Sequence, residues 1–85
     1  MLANAQGLHE RPVITWLHEL GHQLHYAAGM PSAPTTACLT QYARTNDFEW
    51  HAEHFAAWLL NRKALAEWNG SVAEYFDRMV EKLTR

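Results

Sequence analysis

Apolar and polar residues recur with the period of an α-helix over three segments of the chain, and almost nothing in the pattern indicates a strand. The first predicted helix runs from about Pro12 to Ala28. Proline suits the first turn of a helix, and Gly29 followed by Met30 and a proline is a stop signal. The pattern therefore predicts a mainly α fold.

The second predicted helix is the longest of the three. Asn46 and Asp47 are both good N-terminal caps, and the helix is expected to start at one of them. It continues through FEWHAEHFAAWLLNRKALAEW, with a break expected near Asn61, and ends at Asn69-Gly70. The connection before it is MPSAPTTACLTQYART. Loops of about 15 residues inside a compact domain are usually either functional or disordered.

The third predicted helix has the pattern of a structural element. Ser71 with Glu74 three residues later forms a capping box. Apolar residues then fall on one helical face: Val72, Tyr75, Phe76, Met79, Val80 and Leu83. No linker or repeat interrupts the chain, so residues 1–85 are expected to form a single helical domain.

Composition narrows the class of protein. The chain has 85 residues, a net charge of −2 and no basic cluster of the kind that binds nucleic acid or an anionic membrane. No apolar run approaches a membrane span and the N-terminus lacks a signal-peptide pattern, so a cytoplasmic location is the default expectation. A single cysteine, Cys38, excludes an intrachain disulfide, which leaves a metal or a partner to stabilise a small core.

The first predicted helix contains WLHELGHQLHY, which carries the motif H-E-x-x-H. His18 and His22 are four residues apart and project side by side, so both imidazoles can reach one metal ion. Glu19 is turned about 100° away, where a carboxylate can act as general base on a metal-activated water. Gly21 suits a close approach by another segment. His25 lies too far along the helix axis from His18 for both to bind one ion, so it is expected to be solvated or to support the site indirectly. The alternative is an amphipathic helix with surface histidines.

The second predicted helix offers further ligands on one side. Glu49 and Glu53 share a stripe with small and apolar residues, which suits a face packed on the first helix. A metal would resolve the cost of burying two carboxylates. His51 and His54 lie on the opposite side with Trp58. The alternative is that both glutamates are solvated and that the helix packs through its apolar residues, Phe48, Phe55 and Leu59.

Taken together, His18-Glu19-Leu20-Gly21-His22 and the later TQYARTNDFEWHAEHF resemble the zincin catalytic core of the anthrax lethal factor type and of related toxin-like and phage-encoded zincins. In those proteins H-E-x-G-H is followed by Y-[GA]-x-T-N-x-x-E-x-x-A-E-x-F. The resemblance covers roughly residues 13 to 60, with matches to the second motif at Tyr42, Ala43, Thr45, Asn46, Glu49, Ala52, Glu53 and Phe55.

The resemblance implies a zinc metallopeptidase that acts on a protein or peptide substrate. It implies that Glu49 is the third Zn²⁺ ligand beside the two motif histidines, that Glu53 is a supporting carboxylate and that Tyr42 stabilises the oxyanion. Zincins also carry a β-sheet upstream of the motif helix. We therefore expect a three-helix minimal zincin-like core that is the C-terminal part of a larger catalytic domain, takes its substrate groove from a partner, or binds zinc without turnover.

Two alternatives to a peptidase stay open at this point. One is a structural or regulatory zinc-binding module that turns over no substrate. The other is a helical interaction domain, in which Trp50 and Trp58 form an exposed patch that contacts a protein partner or a missing upstream domain. An intact Glu19 and Tyr42 favour the enzyme, because a structural zinc site needs neither.

Overall fold

The computed structural model describes the backbone of residues 12–85 and the side chains from residue 16 onward. This part of the chain folds into three helices, α1 (Pro12–Ala27), α2 (Asp47–Trp68) and α3 (Gly70–Thr84), with a short 3-10 helix at Tyr42–Arg44 and no strand. The predicted mainly α fold is confirmed. The N-terminal stretch from which the absence of a signal peptide was predicted lies outside the described residues.

Helix α2 starts and bends where the sequence indicates. The side chain of Asn46 accepts a hydrogen bond from the backbone N–H of Glu49 at 2.8 Å and so caps the helix. At Asn61 the backbone leaves the helical region, with φ −161° and ψ 81°, and the side chain of Asn61 accepts from the backbone N–H of Ala64. The bend is therefore followed by a newly capped helical segment.

Helix α3 starts two residues earlier than predicted, with Asn69 rather than Ser71 as its N-terminal cap. Asn69 is extended, and its side chain accepts hydrogen bonds from the backbone N–H groups of Ser71 and Val72. The predicted capping box of Ser71 and Glu74 is wrong, because Gly70 already lies in the helix and Asn69 takes the capping position.

Helix α2 is central, with α1 packed on one side and α3 on another. The core lies mainly between α2 and α3 and is formed by buried side chains of both helices and of the 3-10 helix: Ala43, Trp50, Phe55, Leu65, Val72, Ala73, Phe76 and Met79. Among the described helices, none combines the length and the apolar character that crossing a bilayer requires.

The expected exposed patch at Trp50 and Trp58 is not formed. Trp50 is only 2% exposed, its ring stacks on Phe76, and its Nε1 donates to the carbonyl oxygen of Ala37 at 2.9 Å. Trp58 is partly buried, and its Nε1 donates to Oδ1 of Asp77 at 2.8 Å. Helix α3 and the α1–α2 connection cover this side of α2, so the predicted interaction patch is wrong.

Candidate metal centre

The site begins with the close packing of α1 against α2. A Cβ atom placed on Gly21 would lie 2.6 Å from Cα and 2.9 Å from the carbonyl oxygen of Ala52, so only glycine permits this distance between the helices. The close approach predicted at Gly21 is confirmed. It brings the two histidines of α1 directly opposite the carboxylates of α2.

Three side chains then converge on one point. Nε2 of His18 lies 2.9 Å from Oε1 of Glu49, and Nε2 of His22 lies 3.4 Å from the same oxygen. The three potential ligand atoms all lie within 4.8 Å of one another. The side chains are 12–19% exposed, so the point is largely sheltered but still accessible to solvent.

The protonation of His18 makes this convergence informative. Its Nδ1 lies 2.9 Å from Oε2 of Glu53 and its Nε2 faces Glu49. A neutral imidazole carries one proton, so a ring that donates from Nδ1 turns a bare lone pair towards Glu49. Two such acceptors at 2.9 Å repel each other unless a proton or a cation lies between them.

The donor set fits Zn²⁺, which binds imidazole nitrogen and carboxylate oxygen and commonly takes three protein ligands in catalytic sites. His22 also stacks on Phe48, with ring centroids 3.8 Å apart, so its orientation is fixed by an apolar neighbour. Nδ1 of His22 is buried without a hydrogen-bond partner among the described residues. The other ring nitrogen, Nε2, faces the convergence point, because it lies 3.4 Å from Oε1 of Glu49.

Glu53 occupies a different position from Glu49, although the two lie one turn apart. One carboxylate oxygen of Glu53 accepts from Nδ1 of His18 and the other accepts from the hydroxyl of Thr40 at 2.8 Å. Both oxygens are therefore engaged by the protein, and Glu53 is placed behind the imidazole. Thr40 was not found from the sequence, because nothing in its spacing points to a residue that a loop brings to the site.

Tyr42 begins the 3-10 helix and lies beside the same cluster. Its ring centroid is 5.8 Å from that of His18, and the residue is 54% exposed. The negative charge of Glu49, followed by partial desolvation, raises the pKa of the Tyr42 hydroxyl above its usual value. The hydroxyl is therefore a protonated donor at neutral pH, next to the predicted ligand.

Glu19 lies on α1 directly after His18, and its side chain is exposed. It does not join the convergence point, as the helical spacing predicts. An exposed carboxylate can exchange protons with solvent. Its role as general base stays a prediction.

The expectation that His25 is solvated or supports the site is wrong. It is 1% exposed, and its Nε2 donates to the carbonyl oxygen of Pro31 at 2.7 Å. Gly29 and Met30 adopt φ values of 90° and 54°, which turn the chain back over the end of α1 and bring Pro31 to the ring. His25 therefore holds the start of the connection in place.

Neither His51 nor His54 joins the cluster of His18, His22 and Glu49. His51 stacks on His25, and its Nε2 accepts from the hydroxyl of Tyr75 at 2.6 Å. Burial lowers the pKa of His51 to about 4, and burial likewise lowers the pKa of His54. Both are neutral core residues. The expectation that they lie opposite the side packed on α1 is wrong for His51, because its ring stacks on His25 of that helix.

In comparisons with known proteins, the chain matches no protein-family model, no curated protein and no solved structure.

Proposed function

We propose that this chain binds one zinc ion through His18, His22 and Glu49 and uses it to hydrolyse peptide bonds. The observation that carries the proposal is the convergence of Nε2 of both imidazoles on Oε1 of Glu49, at 2.9 and 3.4 Å, from two different helices. Two histidines and one carboxylate are a ligand set of catalytic zinc sites, which keep a further position open. The similarity of the two sequence motifs to lethal factor-type zincins supports the same proposal.

In this proposal each nearby side chain has a distinct task. Zinc, when bound, supplies Lewis acidity that polarises a peptide carbonyl and makes a water molecule more acidic. The carboxylate of Glu19 takes a proton from the attacking water and delivers it to the leaving amine nitrogen. The hydroxyl of Tyr42 donates a hydrogen bond to the carbonyl oxygen as negative charge develops there. Glu53 holds the proton on Nδ1 of His18, which keeps Nε2 free.

A zinc-binding module without turnover is the second candidate. It is favoured by the division of the three ligand side chains between α1 and α2, because one ion would then join two helices of a small chain. Such a module needs the three ligands and Glu53, but it gains nothing from Glu19 or Tyr42. The two candidates therefore differ in the effect of changing those two residues.

The deciding experiment measures zinc stoichiometry and cleavage of a mixed peptide library by the same preparation. We expect one zinc per chain and metal-dependent cleavage. Glu19→Gln should keep the zinc and lose the cleavage, whereas Glu67→Gln, which changes another exposed glutamate, should alter neither. Zinc without cleavage in the parent chain supports the non-catalytic module, and absence of zinc at micromolar concentrations refutes both candidates.

A further inference from the structure

Thr40 lies in the α1–α2 connection, and its hydroxyl makes two hydrogen bonds. Its Oγ1 donates to Oε1 of Glu53 at 2.8 Å and accepts from the backbone N–H of Ala43 at 3.1 Å. A hydroxyl has one proton, so the bond from Ala43 occupies a lone pair while the proton points at Glu53. The direction of the hydroxyl is thus set by its two partners.

This hydroxyl completes the hydrogen bonding of the Glu53 carboxylate. Oε2 of Glu53 faces Nδ1 of His18 at 2.9 Å, and the glutamate side chain is 22% exposed. With Thr40 on one oxygen and His18 on the other, the carboxylate cannot rotate without losing a bond. Without Thr40, the carboxylate keeps a single partner and has access to solvent.

The backbone next to Thr40 is anchored to the interior of the molecule. The N–H of Leu39 donates to Nε2 of His54 at 3.1 Å, and Nδ1 of His54 donates to the carbonyl oxygen of Trp50 at 2.7 Å. His54 is fully buried. The position of Thr40 is therefore set by α2 itself, the helix that also carries Glu53.

We propose that Thr40 is a positioning residue for the metal centre. Through Glu53 it fixes the proton of His18 on Nδ1, so that the lone pair of Nε2 is directed at the metal. The inference rests on the proposed zinc site and adds to it a residue that lies two positions before the start of the second family pattern at Tyr42. Groups that hydrogen-bond to a metal-ligating histidine typically change metal affinity about 10–100-fold when they are removed.

The test compares Thr40→Val, which keeps the shape and removes the hydroxyl, with Thr40→Ser, which keeps the hydroxyl. Thr36→Val, in the same connection and with an exposed side chain, is the matched control. Zinc affinity is measured by competition with a chromophoric chelator. The Nδ1 proton of His18 is observed by NMR in the metal-free chain, where the bond to Glu53 slows its exchange with water.

We expect Thr40→Val to bind zinc about 10–100-fold more weakly and to lose the protected Nδ1 proton. Thr40→Ser and Thr36→Val should keep both properties of the parent chain. Thr40→Ala serves as a second variant if valine prevents folding. A folded Thr40→Val or Thr40→Ala chain that keeps the protected proton or the parent zinc affinity overturns the proposal. If the parent chain binds no zinc, the proposed function is wrong, and the Nδ1 proton alone decides whether Thr40 positions His18.

Discussion

Replacing Gly21 with alanine tests whether the contact between α1 and α2 sets the geometry of the proposed metal centre. The added Cβ would meet Cα of Ala52 at 2.6 Å. Ordinary van der Waals contact begins near 3.4 Å, so the two helices must separate by about 0.8 Å at this point. Gly21 lies between His18 and His22, and Ala52 lies between the two metal-site glutamates, so the separation falls on all the proposed ligands.

Two opposing terms decide the size of the effect. Alanine is a better helix former than glycine by about 1 kcal/mol, which favours the variant. Overpacking a core contact costs about 1–3 kcal/mol. Because the colliding atoms belong to the backbone of a buried helix turn and cannot rotate away, the upper part of that range applies. We expect a net loss of about 1–2 kcal/mol, and a domain of this size loses about 4–8 °C in Tm per kcal/mol.

The assay is thermal unfolding followed by circular dichroism in the presence of chelator, together with a zinc titration of the folded chain. Gly70→Ala is the matched control, because no atom lies within 4 Å of the Cβ that it would add. The control should leave Tm unchanged or slightly raised and should bind zinc like the parent chain. Gly21→Ala should lower Tm. It should also weaken zinc binding by about tenfold or more, because moving the groups that orient metal ligands has an effect of this size.

A Gly21→Ala chain with a higher Tm and parental zinc affinity would refute the reasoning. It would mean that helix propensity dominates and that the helices do not approach closely at this position. A lowered Tm with unchanged zinc affinity would separate the two effects and show that ligand placement does not depend on this contact.

Four further outcomes follow from the site and the core. Chelation of zinc should lower Tm markedly, because the ligands join α1 to α2; an unchanged melting curve would contradict a metal role in folding. Glu49→Ala should abolish tight zinc binding while Glu53→Ala weakens it about 10–100-fold, and a titration showing the reverse order would exchange their roles. Tyr42→Phe should keep the zinc and lose about 10²–10³ in peptide turnover, so a fully active variant would exclude the tyrosine from catalysis. The contribution of His51 to the stability of the metal-free chain should be constant above pH 6.5 and fall as the pH is lowered towards about 4, because only the unfolded chain takes up a proton on His51 there. His51→Gln should reduce this slope in urea titrations and leave the part that comes from the lowered pKa of His54.

The helices and the facing of α2 could be predicted because they depend on local signals. The bend at Asn61 and the cap at Asn46 come from the residues themselves. The angular positions of Glu49 and Glu53 follow from helical geometry alone, and both side chains face α1 in the structure.

What could not be predicted depends on contacts between distant segments. A helical wheel places Trp50 about 100° from Glu49, but it does not show that α3 and the connection cover that side. His25 becomes buried only because the chain reverses direction and returns Pro31 to its ring. Thr40 reaches Glu53 only because Leu39 is held on His54. None of these pairings has a signature in local spacing.

Helix α2 carries carboxylates of the proposed metal site on one side and core side chains on another, and this limits which substitutions its core can accept. Glu49 is followed by Trp50, so a carboxylate of the metal centre and a ring of the core share one helical turn. Side-chain ends lie about 5–6 Å from a helix axis, so a rotation of about 10° displaces a carboxylate by about 1 Å. Functional sites need their groups held within about 0.5 Å. The contact between Phe55 and Phe76 helps to set the rotation of α2. If the proposed zinc site is used, we expect these two positions to covary, so that core residues can change while the rotation of α2 is kept.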